Sequence, residues 1–266
     1  MISISYSKIT TYRMCGLCYY YRYIKKKIMP PSISQLTGTL FHKVYEFNFK
    51  QKMLTNKDMP VKDLVDYYKR EFDTHKQDLW WPKSVEEKGK SEQIEYHREK
   101  GLKLVEVFYE IAQNLRPLLV EELMPVIVSG KETFKIWLKP DLFVKDEVID
   151  YKISKRKKDF DFNQLLLYSL AYQQKYGKKP ERLTFFRLIY TKTQEKFQVS
   201  TIDGKVEAQP TILLNEVNLV LKGIKNGLFY PAPPDHWLCS ERYCQYYEEC
   251  PYGKVRHETY KELGER

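Results

Sequence analysis

The sequence predicts an α/β domain with one mixed central β-sheet flanked by helices. Three observations carry that expectation. Apolar residues recur at helical spacing through the first 118 residues, β-branched and aromatic residues cluster between 120 and 153, and helix, strand, strand and helix then follow in order. With 266 residues, 42% of them hydrophobic, the chain has enough apolar material for a sizeable core.

Residues 1–28 read as a helix start followed by a tyrosine-rich helical stretch that ends in Lys25-Lys26-Lys27 and is broken by Pro30-Pro31. A second helix begins near Gln35, with Leu40, Phe41, Val44 and Phe47 at helical spacing. Residues 47–118 read as a helical insertion, interrupted at Trp80-Trp81-Pro82. Strands are predicted at 120–128, 133–144 and 147–153, separated by turn signals. A helix over 162–176 closes at Gly177, a residue at ease in the left-handed backbone that ends helices. Strands at 183–190 and 196–202 and a helix at 211–226 lead into a Cys-rich segment, 230–266. No internal repeat or flexible linker divides the chain, so residues 1–266 read as one domain.

A formal net charge of +10 and 22 tyrosines suit a polyanionic partner, because Lys and Arg neutralise phosphates and rings stack on unpaired bases. The absence of a G-x-x-x-x-G-K-[ST] loop argues against a nucleotide-driven motor. No apolar run approaches the roughly 20 residues of a membrane span, and no secretory signal is evident, so a cytoplasmic location is expected. Disulfides rarely persist there, which turns attention to metal or redox chemistry for the five cysteines.

The segment from Pro140-Asp141 to Asp150-Tyr151-Lys152 is the most informative. Side chains alternate along a strand, so Asp150 and Lys152 share a face. With Lys145-Asp146 as a two-residue turn, Val144 pairs with Glu147 and Asp141 lies opposite Asp150. Like charges so opposed are destabilising, and a divalent cation between them removes the penalty. The competing reading is a solvated hairpin face with ordinary surface charges.

These residues resemble the two-part signature of the PD-(D/E)XK nuclease superfamily. The resemblance implies a restriction-endonuclease-like nuclease core in which Asp141 and Asp150 bind Mg²⁺ or Mn²⁺. It also implies that Lys152 positions water and stabilises the attacked phosphate. Further features resemble the RecB-like branch. Gly38-x-x-x-His42 implies His42 as a third protein ligand of the metal, and Gln164-x-x-x-Tyr168 implies a helix face that orients Lys152 and the DNA backbone. Either Glu121 or Glu122 matches an acidic position of that branch, and the sequence does not choose between them.

Cys239-x4-Cys244-x5-Cys250 near the C-terminus, with Cys15 and Cys18 near the N-terminus, suits either an iron–sulfur cluster or a tetrahedral zinc site. Resemblance to RecB-like nucleases of the AddB type and to CRISPR-associated exonucleases implies a [4Fe–4S] cluster held by Cys15, Cys239, Cys244 and Cys250. Cys18 is left outside that set. The C-terminal spacing departs from the C-x2-C-x5-C common in the AddB type. Lys155, Arg156, Lys157 and Lys158 read either as a DNA-contacting rim or as a solvated charge run, and Trp80-Trp81 either as packing or as a stacking platform.

Taken together, the resemblance implies a metal-dependent DNA exonuclease acting on single strands or DNA ends, in recombination, repair or phage DNA metabolism. A helicase, recombinase or single-strand-binding protein is the implied partner. The alternatives are a CRISPR spacer-processing nuclease and a non-catalytic DNA-binding Fe–S module that recruits a helicase or recombinase.

Overall fold

A computed structural model describes residues 2–128, 133–154, 162–190, 195–204, 208–254, 256, 258 and 259. Ile2-Ser3-Ile4-Ser5 forms the first strand, β1 (Ile2–Ser5). Its alternation of apolar and polar residues is the ordinary strand signal, yet four residues ahead of a helix read from sequence as a helix start. Ser5 ends the strand and caps α1 (Tyr6–Met14) by accepting from the Lys8 amide at 3.4 Å. Then come α2 (Gly16–Tyr19) and a single π-helical stretch, Tyr20–Ile24. Ser32 and Gln35 form a capping box that starts α3 (Ile33–Thr55), which ends at Asn56 in left-handed backbone. The helices α4 (Val61–His75) and α5 (Glu87–Ala112) complete the first half.

The strands that follow are β2 (Leu119–Val120), β3 (Met124–Val128), β4 (Phe134–Leu138), β5 (Leu142–Val144) and β6 (Glu147–Ser154). After them come α6 (Asn163–Tyr176), β7 (Arg182–Tyr190), β8 (Glu195–Asp203) and α7 (Ala208–Lys225). Two mixed sheets form where one was expected: a three-stranded sheet ordered β1-β4-β3 and a five-stranded sheet ordered β2-β5-β6-β7-β8. The cause is two corners. The expected strand 120–128 breaks at Glu121, whose φ of 48° is left-handed. The expected strand 133–144 breaks at Lys139-Pro140-Asp141, where Pro140 has no amide to give a ladder. Each run therefore sends one half to each sheet. The corners also hold each other, since the Glu121 amide donates to Pro140 O at 3.0 Å and to Asp141 O at 3.3 Å.

The five-stranded sheet has a core on each face. Val148, Leu183 and Phe185 pack with α6, α7 and the three-stranded sheet. Ile149, Tyr151 and Leu188 face the opposite way, into a core with α3, α4 and α5. Helix α3 runs unbroken through residue 47, so the expected insertion helices share its core. Strands β6 and β7 are parallel and α6 crosses between them, which points the end of β6 toward the α6 N-terminus. Among the described residues no helix is long and apolar enough to cross a membrane.

Candidate metal centre and cysteine cluster

The β5–β6 hairpin sets the two acids. Asp146 adopts φ 60° in the turn, and the register runs Val144↔Glu147, Phe143↔Val148 and Leu142↔Ile149. The ladder ends at Leu142↔Ile149, and Asp141 stands just before it, close enough to Asp150 for the two charges to repel. The Tyr151 amide donates to Asp141 Oδ2 at 3.0 Å. Asp150 is fully buried, and its Oδ1 accepts from Lys152 Nζ at 2.8 Å. Its Oδ2 is buried with no hydrogen-bond partner among the described residues. A buried carboxylate oxygen left so is costly unless something positive fills the space beside it.

His42 reaches the acids from α3, its ring stacked on Tyr151 with centroids 4.6 Å apart. Its Nδ1 lies 3.0 Å from Glu121 Oε1 and 3.6 Å from Asp141 Oδ1. Glu121 also pairs with Lys139 at 2.9 Å. The left-handed corner settles what the sequence left open: Glu121 turns inward, while Glu122 is exposed and pairs with Lys175 at 3.2 Å. Ligand atoms of His42, Glu121 and Asp141 all lie within 4.8 Å of one another.

Burial pushes Asp141 up to about 7, and the neighbouring Asp150 adds to this while His42 and Lys152 oppose it. Burial works against the charged form of His42, yet Asp141 and Glu121 hold it above its ordinary value. Glu121 is held low despite burial by the His42 bond and by Lys139. Burial likewise opposes the Lys152 ammonium, which Asp150 and Asp141 more than restore. Carboxylates and an imidazole converging with an unsatisfied buried oxygen beside them form a donor set that fits a divalent cation.

Gln164 and Tyr168 lie one turn apart on α6, but they reach the corner rather than Lys152. Gln164 Nε2 donates to Tyr168 Oη at 2.6 Å, and Tyr168 donates to the Lys139 carbonyl at 3.0 Å. They thereby brace the segment that carries Asp141. Lys155, Arg156, Lys157 and Lys158 lie outside the described residues. The site opens into a cavity of about 510 Å³ whose wall includes His42, Asp141 and Lys152, and also His97 and Lys100 from α5. Both α5 residues are buried: His97 Nδ1 is 2.9 Å from Thr37 Oγ1, and Lys100 lies over the Tyr190 ring at 4.8 Å. Sequence reasoning missed them, because their three-residue spacing on a charged helix is the only signal.

Apart from this site, all five cysteines line one small cavity. Cys15, Cys239, Cys244 and Cys250 are buried and Cys18 is partly so. Cys18 Sγ lies 3.9 Å from Cys244 Sγ, and the Cys18 amide donates to Cys15 Sγ at 3.5 Å. Hydrogen bonding from Cys18 pulls Cys15 down to about 6 and Cys244 below its ordinary value, burial opposing both. Arg256 donates to Cys239 Sγ at 3.1 Å. Thiols converging in this way, two of them acidified, form a donor set that fits a thiolate-bound metal group.

No curated protein matches the chain. Among solved structures it is similar to one described as "Crystal structure of SSO0001", at 17% identity and a TM-score of 0.40, over 78% of this chain and 95% of that one. The sequence profile of the PD-(D/E)XK nuclease superfamily matches residues 3–251, a span that holds His42, Glu121, Asp141, Asp150, Lys152 and all five cysteines. The chain belongs to the PD-(D/E)XK nuclease superfamily.

Proposed function

We propose that this chain is a DNA exonuclease of the RecB-like branch, working on single strands or DNA ends with Mg²⁺ or Mn²⁺. Superfamily membership implies a metal-dependent nuclease. The observation that carries the reading is the meeting of His42, Glu121 and Asp141 beside the unpartnered Asp150 Oδ2, with Lys152 bonded to Asp150. His42, Asp141 and Asp150 would hold the cation, and Glu121 joins them or orients His42. When bound, the cation supplies Lewis acidity toward the phosphodiester and offsets the acids. Lys152 keeps its ammonium charged with a 39% exposed side chain, available to a phosphate oxygen in the cavity.

For the cysteines we propose a [4Fe–4S] cluster on Cys15, Cys239, Cys244 and Cys250. A zinc tetrahedron with bonds of about 2.3 Å needs sulfurs roughly 3.8 Å apart. Cys18 Sγ and Cys244 Sγ already stand 3.9 Å apart, so metal analysis of the anaerobically purified protein, iron with labile sulfide against zinc, decides between the two groups. The two sites are proposed to act separately, the cluster as a clamp between distant parts of the chain. The test uses end-labelled single strands and duplexes with the anaerobically purified protein. Mg²⁺- or Mn²⁺-dependent release of nucleotides from ends, abolished by Asp150→Ala and by Lys152→Ala, is expected. Absence of cleavage on every DNA tried overturns the reading.

A further inference from the structure

The cysteine segment carries aromatic rings that the metal centre does not use. Trp237 and Tyr243 are 57% and 49% exposed, and their rings meet edge to face at 5.3 Å. With Trp80, from the loop between α4 and α5, they line a groove of about 350 Å³. That loop is fastened in place. The Trp80 amide donates to Pro31 O at 3.0 Å, the Ser84 amide to Glu241 at 3.1 Å, and Lys83 pairs with Glu248 at 2.8 Å. Trp81, its neighbour, packs instead against the α3–α5 core.

The polar groups of the groove suit a base attached to a phosphate backbone. Arg22 lines it, and the Arg242 guanidinium lies over the Tyr243 ring at 5.6 Å. The nearby acids are engaged elsewhere: Glu241 with Ser84, Glu248 with Lys83, and Glu249 with Lys27. Gln35 uses its carbonyl in the α3 capping box, which leaves its amide donors, and Gln245 uses its amide on Pro30 O at 2.6 Å, which leaves its carbonyl. One donor and one acceptor are thus offered to the edge of a planar ring.

Helix α3 links the groove to the metal centre, since it supplies Gln35 to one and His42 to the other. Gln35 and His42 are on the same helix, seven residues apart, which is ~10 Å at about 1.5 Å per residue. A stacked strand advances about 3.4 Å per nucleotide, so Gln35, which lines the groove, lies roughly three nucleotide steps along the helix from His42. We propose that the groove is a stacking site for an unpaired base of the strand whose phosphate lies at the metal centre, and that it selects single strands over duplexes. A base inside a duplex presents no free face to such rings. This rests on the nuclease reading above and narrows its substrate to single strands held by this groove.

The test is binding of a short fluorescein-labelled oligothymidylate, and of a duplex of the same length, by the full chain with Ca²⁺ in place of Mg²⁺. Trp237→Ala is expected to weaken strand binding about tenfold and to leave duplex binding unchanged, with Trp237→Phe restoring most of it. Tyr243→Ala, a second change at an exposed ring, is expected to act in the same direction. Variants that bind the strand as tightly as the wild type, or lose strand and duplex alike, overturn the proposal. Cleavage of the strand by wild-type protein with Mn²⁺, measured alongside, separates the two readings. A wild type that cleaves while the variants bind normally sinks the groove alone, and one that neither binds nor cleaves sinks both.

Discussion

The Tyr151 amide donates to Asp141 Oδ2 at 3.0 Å and so turns Asp141 Oδ1 toward His42, 3.6 Å away. One oxygen is anchored by the neighbouring strand and the other is aimed into the site. Asp141→Asn can keep the anchoring bond while removing the charge. The variant should fold normally, bind Mn²⁺ far more weakly and cleave slower by on the order of 10²–10³-fold. Calorimetric titration with Mn²⁺ and single-turnover cleavage check this, and near-wild-type rates would remove Asp141 from the site.

The pH dependence of the metal-free protein follows from two raised groups. Asp141 takes up its proton more readily folded, at about 7, than its ordinary 3.8 allows, so its contribution is present at low pH and is lost as pH rises through about 7. His42, also raised, contributes in the same sense and loses it above its ordinary 6.5. In chelator the melting temperature should therefore fall as pH rises from about 4 to about 7 through Asp141, and further above 6.5 through His42, and added Mn²⁺ should raise it most at the alkaline end. Asp141→Asn should flatten most of the slope. A wild-type-minus-variant difference that does not move with pH would refute the assignment.

The corner formed by Lys139, Pro140 and Asp141 depends on Tyr168. Tyr168→Phe removes the bond to the Lys139 carbonyl at 3.0 Å and the one received from Gln164 at 2.6 Å. A loss of roughly 1–2 kcal/mol is expected in urea unfolding at constant slope, with slower cleavage because Asp141 is less firmly held. Gln164→Ala, which leaves the carbonyl bond intact, should have the smaller effect on both.

At the cysteine cluster, Cys239→Ser and Cys250→Ser should lose bound iron and labile sulfide, together with thermal stability. Cys18→Ser should keep the iron, since Cys18 serves as hydrogen-bond partner to Cys15 and Cys244. Iron lost from Cys18→Ser but retained by Cys15→Ser would exchange their roles, and zinc in place of iron would overturn the cluster.

The hairpin was legible in the sequence because strand alternation with a two-residue turn at Lys145-Asp146 gives the register that forms, although the turn carries its positive φ only at Asp146, unlike the usual tight hairpin turns. The division into two sheets was not legible. A β-rich run hides the point where backbone rotation passes it from one sheet to the other, and Glu121 carries a left-handed φ with no glycine or asparagine to announce it. That same rotation decides between Glu121 and Glu122, so the choice of acid needed the fold. His97 and Lys100 were hidden for another reason. Polar residues in a charged helix look solvated until the partner surface is known, and both are buried here.

The meeting of Cys18 and Cys244, 226 residues apart, has a consequence for the order of events during synthesis. At about 5–20 residues per second, a ribosome delivers the later cysteine roughly 10–45 s after the earlier one. Throughout that interval Cys15 and Cys18 have emerged without the cysteines that surround them in the finished fold. The acids, the sheets and most of the helices are already translated by then. Closure of the cysteine pocket thus follows translation of the acids and of both sheets, and it waits for residues 239–250.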